Sequence, residues 1–344
     1  MKRNRRGPPG CQRAFHFALF GPRRKKCPYV LQYHDKLQIP EALLIHPIHY
    51  SSSETRMGVA YGLAAYLLWG FFPLYFKWVA HVPPLEVLAH RIAWSLITLL
   101  VILATTREWG KVRTALAQGK TLITLGVTTI LISTNWFVFI VAVDRGQVLQ
   151  SSFGYFINPL VSVLLGFLFL GERLRRLQML SLALAGAGVV VLTLHQGHVP
   201  WISLVLAITF AIYGLLRKIV PAGALTGLSV ETLLLFPAAT AYLIYLGVTG
   251  KGAFPSAAAA DNILLPLAGV ITAIPLLWFS AAARRLSLAS IGFMQYITPT
   301  IHFLLAVVAF SEPFSRAHLA GFACIWAGLL LFSYDATGGM RTKR

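Results

Sequence analysis

Acidic side chains are scarce in this chain of 344 residues: 11 Asp and Glu stand against 30 Lys and Arg, and charged residues make up only 12%. Soluble domains carry about a quarter charged residues. With 57% hydrophobic residues and a mean hydropathy of +0.69, too few charges remain to cover a globular surface. An ordinary water-soluble protein is excluded. Cysteine is equally sparse. Cys11, Cys27 and Cys324 make no disulfide framework, and their spacing fits no zinc motif. Cys324, in an apolar run, reads as a small packed hydrophobe. The chain has no Gly-rich phosphate loop closing on Lys and Ser/Thr, so nucleotide hydrolysis in such a loop is not expected. No segment alternates like a membrane β-strand. Neither a cofactor nor a metal is expected. The net charge of +19 would ordinarily raise nucleic acid as a partner. Here the bases fall in tails and short loops, where they set topology instead, and nucleic acid is not expected.

Residues 1–57 differ from the rest. They hold eleven Lys or Arg, including Arg23-Arg24-Lys25-Lys26, with no apolar stretch long enough for a signal-peptide core or a span. The expectation is a disordered cytoplasmic tail, or sequence translated upstream of a start at Met57. A basic segment lying on anionic lipid is the sharper alternative, but the bases lack amphipathic periodicity.

From Gly58 the pattern becomes apolar runs of about 20 residues, the length of a transmembrane helix. Ten are predicted, near 58–80, 85–106, 121–143, 148–170, 177–195, 200–216, 226–247, 263–283, 288–310 and 317–335. The loops on one side carry most of the bases, among them Arg107, Lys111, Arg113, Lys120, Arg173, Arg175 and Arg176. The positive-inside bias therefore puts both termini in the cytoplasm, with 336–344 a short basic tail.

The two halves echo each other at an offset of 140 residues. Phe156-Ile157-Asn158-Pro159 corresponds to Tyr296-Ile297-Thr298-Pro299, Gly171-Glu172-Arg173 to Ser311-Glu312-Pro313, and Lys77 to Arg217. Residues 58–196 and 197–335 each hold five predicted helices. Five is odd, so the second half enters the membrane from the opposite side, giving an inverted repeat of the kind found in secondary transporters. Pro159 and Pro299 should each kink or break a helix, because proline deletes a backbone hydrogen bond and clashes with the preceding turn. Broken helices at matching places point to a transport site.

Polar groups at membrane depth are costly and usually functional. Asn135-Trp136 lie mid-helix, and Asn135 needs a partner, whether substrate or a neighbouring helix. Trp69 is also central, although aromatics usually sit at the interfaces, and suggests an aromatic-lined cavity or plain packing. Tyr155 and Asn158 precede Pro159, and Gln295, Tyr296 and Thr298 precede Pro299; each proline frees a carbonyl one turn back. These eight residues are the predicted lining. His90, one turn after Glu86, is a candidate coupling-proton site or part of an outer-end cluster with Arg91 that snorkels to the interface. Glu231 is a second coupling candidate, for a proton or cation, unless it pairs with a fixed base such as Arg91. His302 reads as a neutral, hydrogen-bonded helix residue. Lys77 and Arg217 read as interfacial anchors. Glu172 and Glu312 end their helices, where the dipole disfavours an acid; Glu172 is expected to pair with inner-loop bases and Glu312 with Arg316.

Taken in order, several stretches resemble the RarD branch of the EamA family, within the drug/metabolite transporter superfamily. They are Ala64-Ala65-Tyr66-Leu67-Leu68-Trp69-Gly70, His90-Arg91, Asn135-Trp136, Gly154-Tyr155-Phe156-Ile157-Asn158-Pro159-Leu160 and Leu170-Gly171-Glu172-Arg173. Tyr213-Gly214, Arg217-Lys218, Glu231-Thr232 and Gln295-Tyr296-Ile297-Thr298-Pro299-Thr300 continue the set. The resemblance covers roughly 58–335 and implies an all-α, polytopic protein of ten helices in two inverted five-helix EamA repeats around a central cavity. It implies export of amino acids or related metabolites; the branch's name is linked to chloramphenicol sensitivity. Ser311 departs from the Gly found at 171, so the second Gly-Glu signature is incomplete.

The sequence thus predicts a bacterial inner-membrane secondary transporter, working by alternating access on a small metabolite or drug-like compound. Its partners are that substrate, the lipid bilayer and a coupling proton or cation. A non-transporting assembly or sensor subunit, a passive channel and a membrane enzyme acting on lipid-linked substrates are the rival readings. The enzyme would require clustered acids, metal-type spacing or a nucleophile–base set near an interface.

Overall fold

Backbone amides cannot stay unpaired in hydrocarbon, so each apolar run must close its own hydrogen bonds as a helix. A computed structural model describes residues 52–170, 174–255, 259–283, 285–286 and 294–341, and its regular structure there is entirely helical. The first span is made of α1 (Ser52–Gly70) and α2 (Phe72–Trp78), followed by α3 (Pro84–Thr106) and the short α4 (Trp109–Ala117). Then come α5 (Gly119–Asp144), α6 (Val148–Leu170), α7 (Arg176–Gln196), α8 (Trp201–Ile219), α9 (Ala224–Thr249) and α10 (Asp261–Ala283). The chain ends in α11 (Ile297–Leu304), a π-helical turn (Leu305–Ala309) and α12 (Arg316–Arg341).

Among the described residues, eight helices are long and apolar enough to cross a bilayer, and Trp201–Arg217 and Ile297–Ala309 are shorter apolar helices. The outward surface agrees with that reading. Val248, Leu194, Val308 and Leu330 are each more than 70% exposed, an apolar exterior that water would not tolerate over so wide an area. This is a multi-pass membrane protein.

The helices pack in a definite pattern. The most extensive pair is α7 with α12, then α6 with α8, and α10 lies against both α1 and α3. Further pairs are α3 with α9, α5 with α8, α6 with α11, α1 with α11 and α5 with α9. One large apolar core runs through these contacts, from Phe72 and Phe76 through Phe139, Phe153 and Phe156 to Phe322.

Several boundaries differ from expectation. The tail expected over 1–57 gives way to helix already at Ser52, where Glu54 occupies the favourable first turn and reaches Arg285 at 3.9 Å. The tail expected over 336–344 is helical as far as Arg341, and Asp335 is tied to the start of α7 by Gln178 at 3.0 Å. Helix α4 was hidden by Lys111 and Arg113, yet it buries Val112 and Ala115, three apart, on one face. Residues 1–51, Glu172 and most of the start of the span expected at 288–310 lie outside the described residues.

The paired prolines do not act alike. Helix α6 runs unbroken through Pro159. Proline costs one hydrogen bond there, and the stretch leading up to it is held by α8: a Cβ on Gly154 would come within 2.6 Å of the Ser203 carbonyl, and Asn158 bonds the Ala207 carbonyl. Pro237, Pro266 and Pro275 are likewise carried inside helices. Pro299 instead sits in the first turn of α11, where its missing N–H leaves nothing unpaired.

Candidate functional site

The mid-helix polar residues converge where α5, α6, α8, α10 and α11 meet α1 and α3. Asn135 is the hub. Its Nδ2 donates to the Leu206 carbonyl and to Thr209 Oγ1, each at 3.0 Å, while its Oδ1 accepts from the Tyr155 hydroxyl at 3.2 Å. It is 2% exposed. Three helices are thereby joined through one amide, the helix-bridging alternative raised from the sequence. Asn158 Nδ2 donates to the Ala207 carbonyl at 3.2 Å, and Gln295 approaches Asn158 Oδ1 at 3.5 Å, the outer limit of a hydrogen bond.

On the opposite side, Thr298 donates to the Tyr66 carbonyl at 2.8 Å, and His302 Nε2 lies 3.1 Å from the Trp69 carbonyl. That contact makes His302 a hydrogen-bonded helix residue, and its ring stacks on Phe139 at 5.3 Å between centroids. Trp69 packs edge-on to Tyr66 at 5.5 Å and tilted against Phe279 at 5.8 Å. Tyr296 stacks on Phe156 at 6.4 Å. Asn135 with Tyr155 and Asn158 with Gln295 therefore form one set, related through the consecutive carbonyls of Leu206 and Ala207 on α8. Trp69, Thr298 and His302 form a second, joined to the first through the Tyr155–His302 ring contact at 5.8 Å.

Trp136 leads to a residue that the sequence placed at the membrane edge. Arg91 is only 4% exposed, and its guanidinium lies over the Trp136 ring at 4.3 Å. Phe76 and Phe72 flank it at 5.6 and 5.7 Å, and its Nε donates to Thr272 Oγ1 at 2.9 Å. The snorkelling alternative is wrong for Arg91, because α10 and α2 close over it. Thr272 was missed; one Thr in a long apolar run carries no signal by itself.

Glu231 and Arg217 are also corrected. Glu231 does not pair with Arg91. Its Oε1 accepts from Thr128 at 2.6 Å and lies 3.9 Å from Arg217 Nε, while its Oε2 accepts from Tyr213 at 3.3 Å. Arg217 is therefore no interfacial anchor: it turns inward from the end of α8, and a Cβ on Gly227 would overlap its guanidinium. This cluster lies two turns along α5 from Asn135, apart from the convergent set.

His90 and Glu86 share a face as expected, but 3.9 Å separates Nε2 from Oε1, too far for a hydrogen bond. Glu86 Oε1 accepts instead from the Ala253 amide at 2.6 Å, and the His90 ring meets Phe254 edge-on at 5.2 Å. Neither His90 nitrogen has a hydrogen-bond partner among the described residues.

Glu312 does not pair with Arg316. Its two oxygens accept the Val148 and Leu149 amides at 2.7 and 2.8 Å, so it caps the N-terminus of α6 from the far end of the chain. An acid at the end of its own helix is here an acid at the beginning of another, where the dipole favours it. Burial raises its carboxyl above the usual range, opposed by those two amides and by Lys77. Ser311 before it has φ +53°, the left-handed region that suits glycine.

Comparison with known proteins agrees with this fold. Residues 56–194 match the EamA-like transporter family. The chain is 44% identical over 292 residues to "Protein RarD" of Salmonella typhi, covering 85% of this chain and 99% of that protein. It is 41% identical over 295 residues to the "Uncharacterized transporter YojE" of Bacillus subtilis, covering 85% and 98%. A solved crystal structure shares the fold at a TM-score of 0.54 and 20% identity, covering 83% of this chain and 99% of that one.

Proposed function

The chain belongs to the RarD branch of the EamA family, membrane transporters of the drug/metabolite type, and on that premise we propose that it is an inner-membrane exporter of small metabolites or drug-like compounds. Two inverted five-helix repeats, 58–196 and 197–335, rock about a central site, with both termini cytoplasmic. Residues Trp69, Asn135, Trp136, Tyr155, Asn158, Gln295, Tyr296 and Thr298 line that site. His90 and Glu231 are the coupling candidates, for a proton or another cation.

One observation carries the two-repeat reading. Asn158 and Thr298, related by the 140-residue offset, each bond a carbonyl on the first helix of the other half. Asn158 takes that of Ala207 and Thr298 that of Tyr66, whose own counterpart is Leu206. The helix pairs obey the same exchange. Contacts of α10 with α1 match those of α5 with α8, contacts of α6 with α8 match those of α1 with α11, and α7 with α12 maps onto itself. Interfaces made of such paired, weakly bonded polar contacts suit alternation between two arrangements.

The test is flux in proteoliposomes against radiolabelled amino acids, nucleosides and amphenicol drugs, in wild type, Asn158→Ala and Gln295→Ala. A change of at least about tenfold in KM or rate, which is about 1.4 kcal/mol, is expected in both variants at undiminished expression. Unchanged kinetics would remove the site. A reporter fused after Gly197 should read outside the cell; an inside reading contradicts the inverted repeat.

A further inference from the structure

A guanidinium out of water is costly unless charge and hydrogen bonds compensate it. Arg91 receives one hydrogen bond acceptor, Thr272 Oγ1 at 2.9 Å, and the π faces of Trp136, Phe76 and Phe72. Among the described residues it forms no ion pair. The buried carboxylates there are all held elsewhere: Glu86 by the Ala253 amide, Glu231 by Thr128, Tyr213 and Arg217, Asp261 by His81, and Glu312 by two amides. Both nearby phenols are also spent, Tyr75 on the Leu264 carbonyl and Tyr155 on Asn135. Thr272 takes the Nε proton, so the outer edge of the fork, with its parallel N–H groups, is left for a ligand.

We propose that Arg91, laid flat on Trp136, is the anion-recognition point of the transport site, and that the substrate carries one carboxylate on an apolar or aromatic body. The inference rests on the transporter reading above and names the substrate class for it. Charge balance selects the class. One guanidinium neutralises one carboxylate, whereas a phosphate dianion would bury an unmatched charge. The zwitterionic head of a free amino acid is disfavoured for the converse reason: an ammonium beside Arg91 would meet no free carboxylate. Glu86 keeps one oxygen unpartnered, but its neighbour is His90. The walls supplied by Trp136, Phe72, Phe76 and Phe139 suit an apolar body.

The experiment is thermal unfolding of the full chain in detergent with phenylacetate, hippurate, their amides, and phenylalanine as the zwitterion. Both acids should raise the unfolding temperature saturably in wild type, the amides and phenylalanine should not, and Arg91→Met should abolish the acid response. Arg91→Lys keeps the charge but loses the fork, and should weaken acid binding about tenfold. It also serves if the Met variant does not fold. Equal responses to acid and amide, a response to phenylalanine matching that to phenylacetate, an undiminished acid response in Arg91→Met, or no response to any probe each overturn the inference. Phenylacetate counterflow in proteoliposomes separates the two levels. Acid binding without counterflow keeps the anion site and removes the transporter reading, whereas flux of neutral drugs without acid binding does the reverse.

Discussion

Among the described residues two arginines turn inward, Arg91 buried and Arg217 half-buried, and they are treated in opposite ways. Arg217 has Glu231 at 3.9 Å, and that carboxylate is itself braced by Thr128 and Tyr213. Arg91 has aromatic faces and one hydroxyl. The first arrangement is closed: every charge has its answer inside the protein, and the cluster fastens α5, α8 and α9 together. The second is open, with a charge held in place and left for something else to meet. A buried cation with no ion pair among the described residues is a stability cost that a structural role does not explain, and a binding role does. Glu312 stands between them, its charge answered by two amides at a helix start rather than by a base.

The contrast is broken most severely by making the closed cluster open. Arg217→Met strands Glu231 in the interior and should cost about 3–5 kcal/mol, read as a large fall in unfolding temperature. The double variant Arg217→Met/Glu231→Leu should recover most of the loss, since replacing a buried pair by apolar groups is often neutral. A double variant as unstable as the single one would mean that packing, not charge, holds the cluster.

The opposite change closes the open site. Thr272→Asp places a carboxylate beside the Arg91 guanidinium, and should leave stability at or above the wild-type level while eliminating stabilisation by phenylacetate. Retained phenylacetate stabilisation would show that Arg91 is not the anion point. A smaller effect is expected at the intermediate case. Glu312→Gln removes a carboxyl whose proton is held more tightly folded than unfolded, because burial outweighs the amides and Lys77. That group's contribution is fully present below its unfolded value and is lost as pH rises through its higher folded value. Wild type should therefore gain more stability on acidification toward the ordinary carboxylate range than Glu312→Gln does, in unfolding curves measured across pH. Smallest of all, Ser311→Gly relieves a left-handed backbone and should raise stability by under about 1 kcal/mol.

What was legible in the sequence, and what was not, follows the same line. Apolar run length located the helices well: 148–170 was expected and Val148–Leu170 is found, because hydrocarbon thickness sets that length directly. Side-chain destinations were harder. Arg217 looked like an anchor because it ends a helix, and nothing local shows that Gly227 opens a space for it on α9. Glu312 looked misplaced because the helix whose amides it caps begins 164 residues earlier. Pro159 looked like a break, but a single lost hydrogen bond is tolerated when α8 grips the turn before it. Asn135 was recognised as needing a partner, although its three partners lie on two other helices that the sequence does not align with it. Periodicity and composition act locally and can be read. Pairing between helices is a tertiary fact and cannot.

The most direct test of the account compares the thermal unfolding of Arg91→Met and Arg217→Met side by side, without ligand. Arg91 is held for a ligand and Arg217 for the fold, so Arg91→Met should unfold at or above the wild-type temperature while Arg217→Met falls well below it. If Arg91→Met falls as far as Arg217→Met, then Arg91 is a structural group, and the open site is not one.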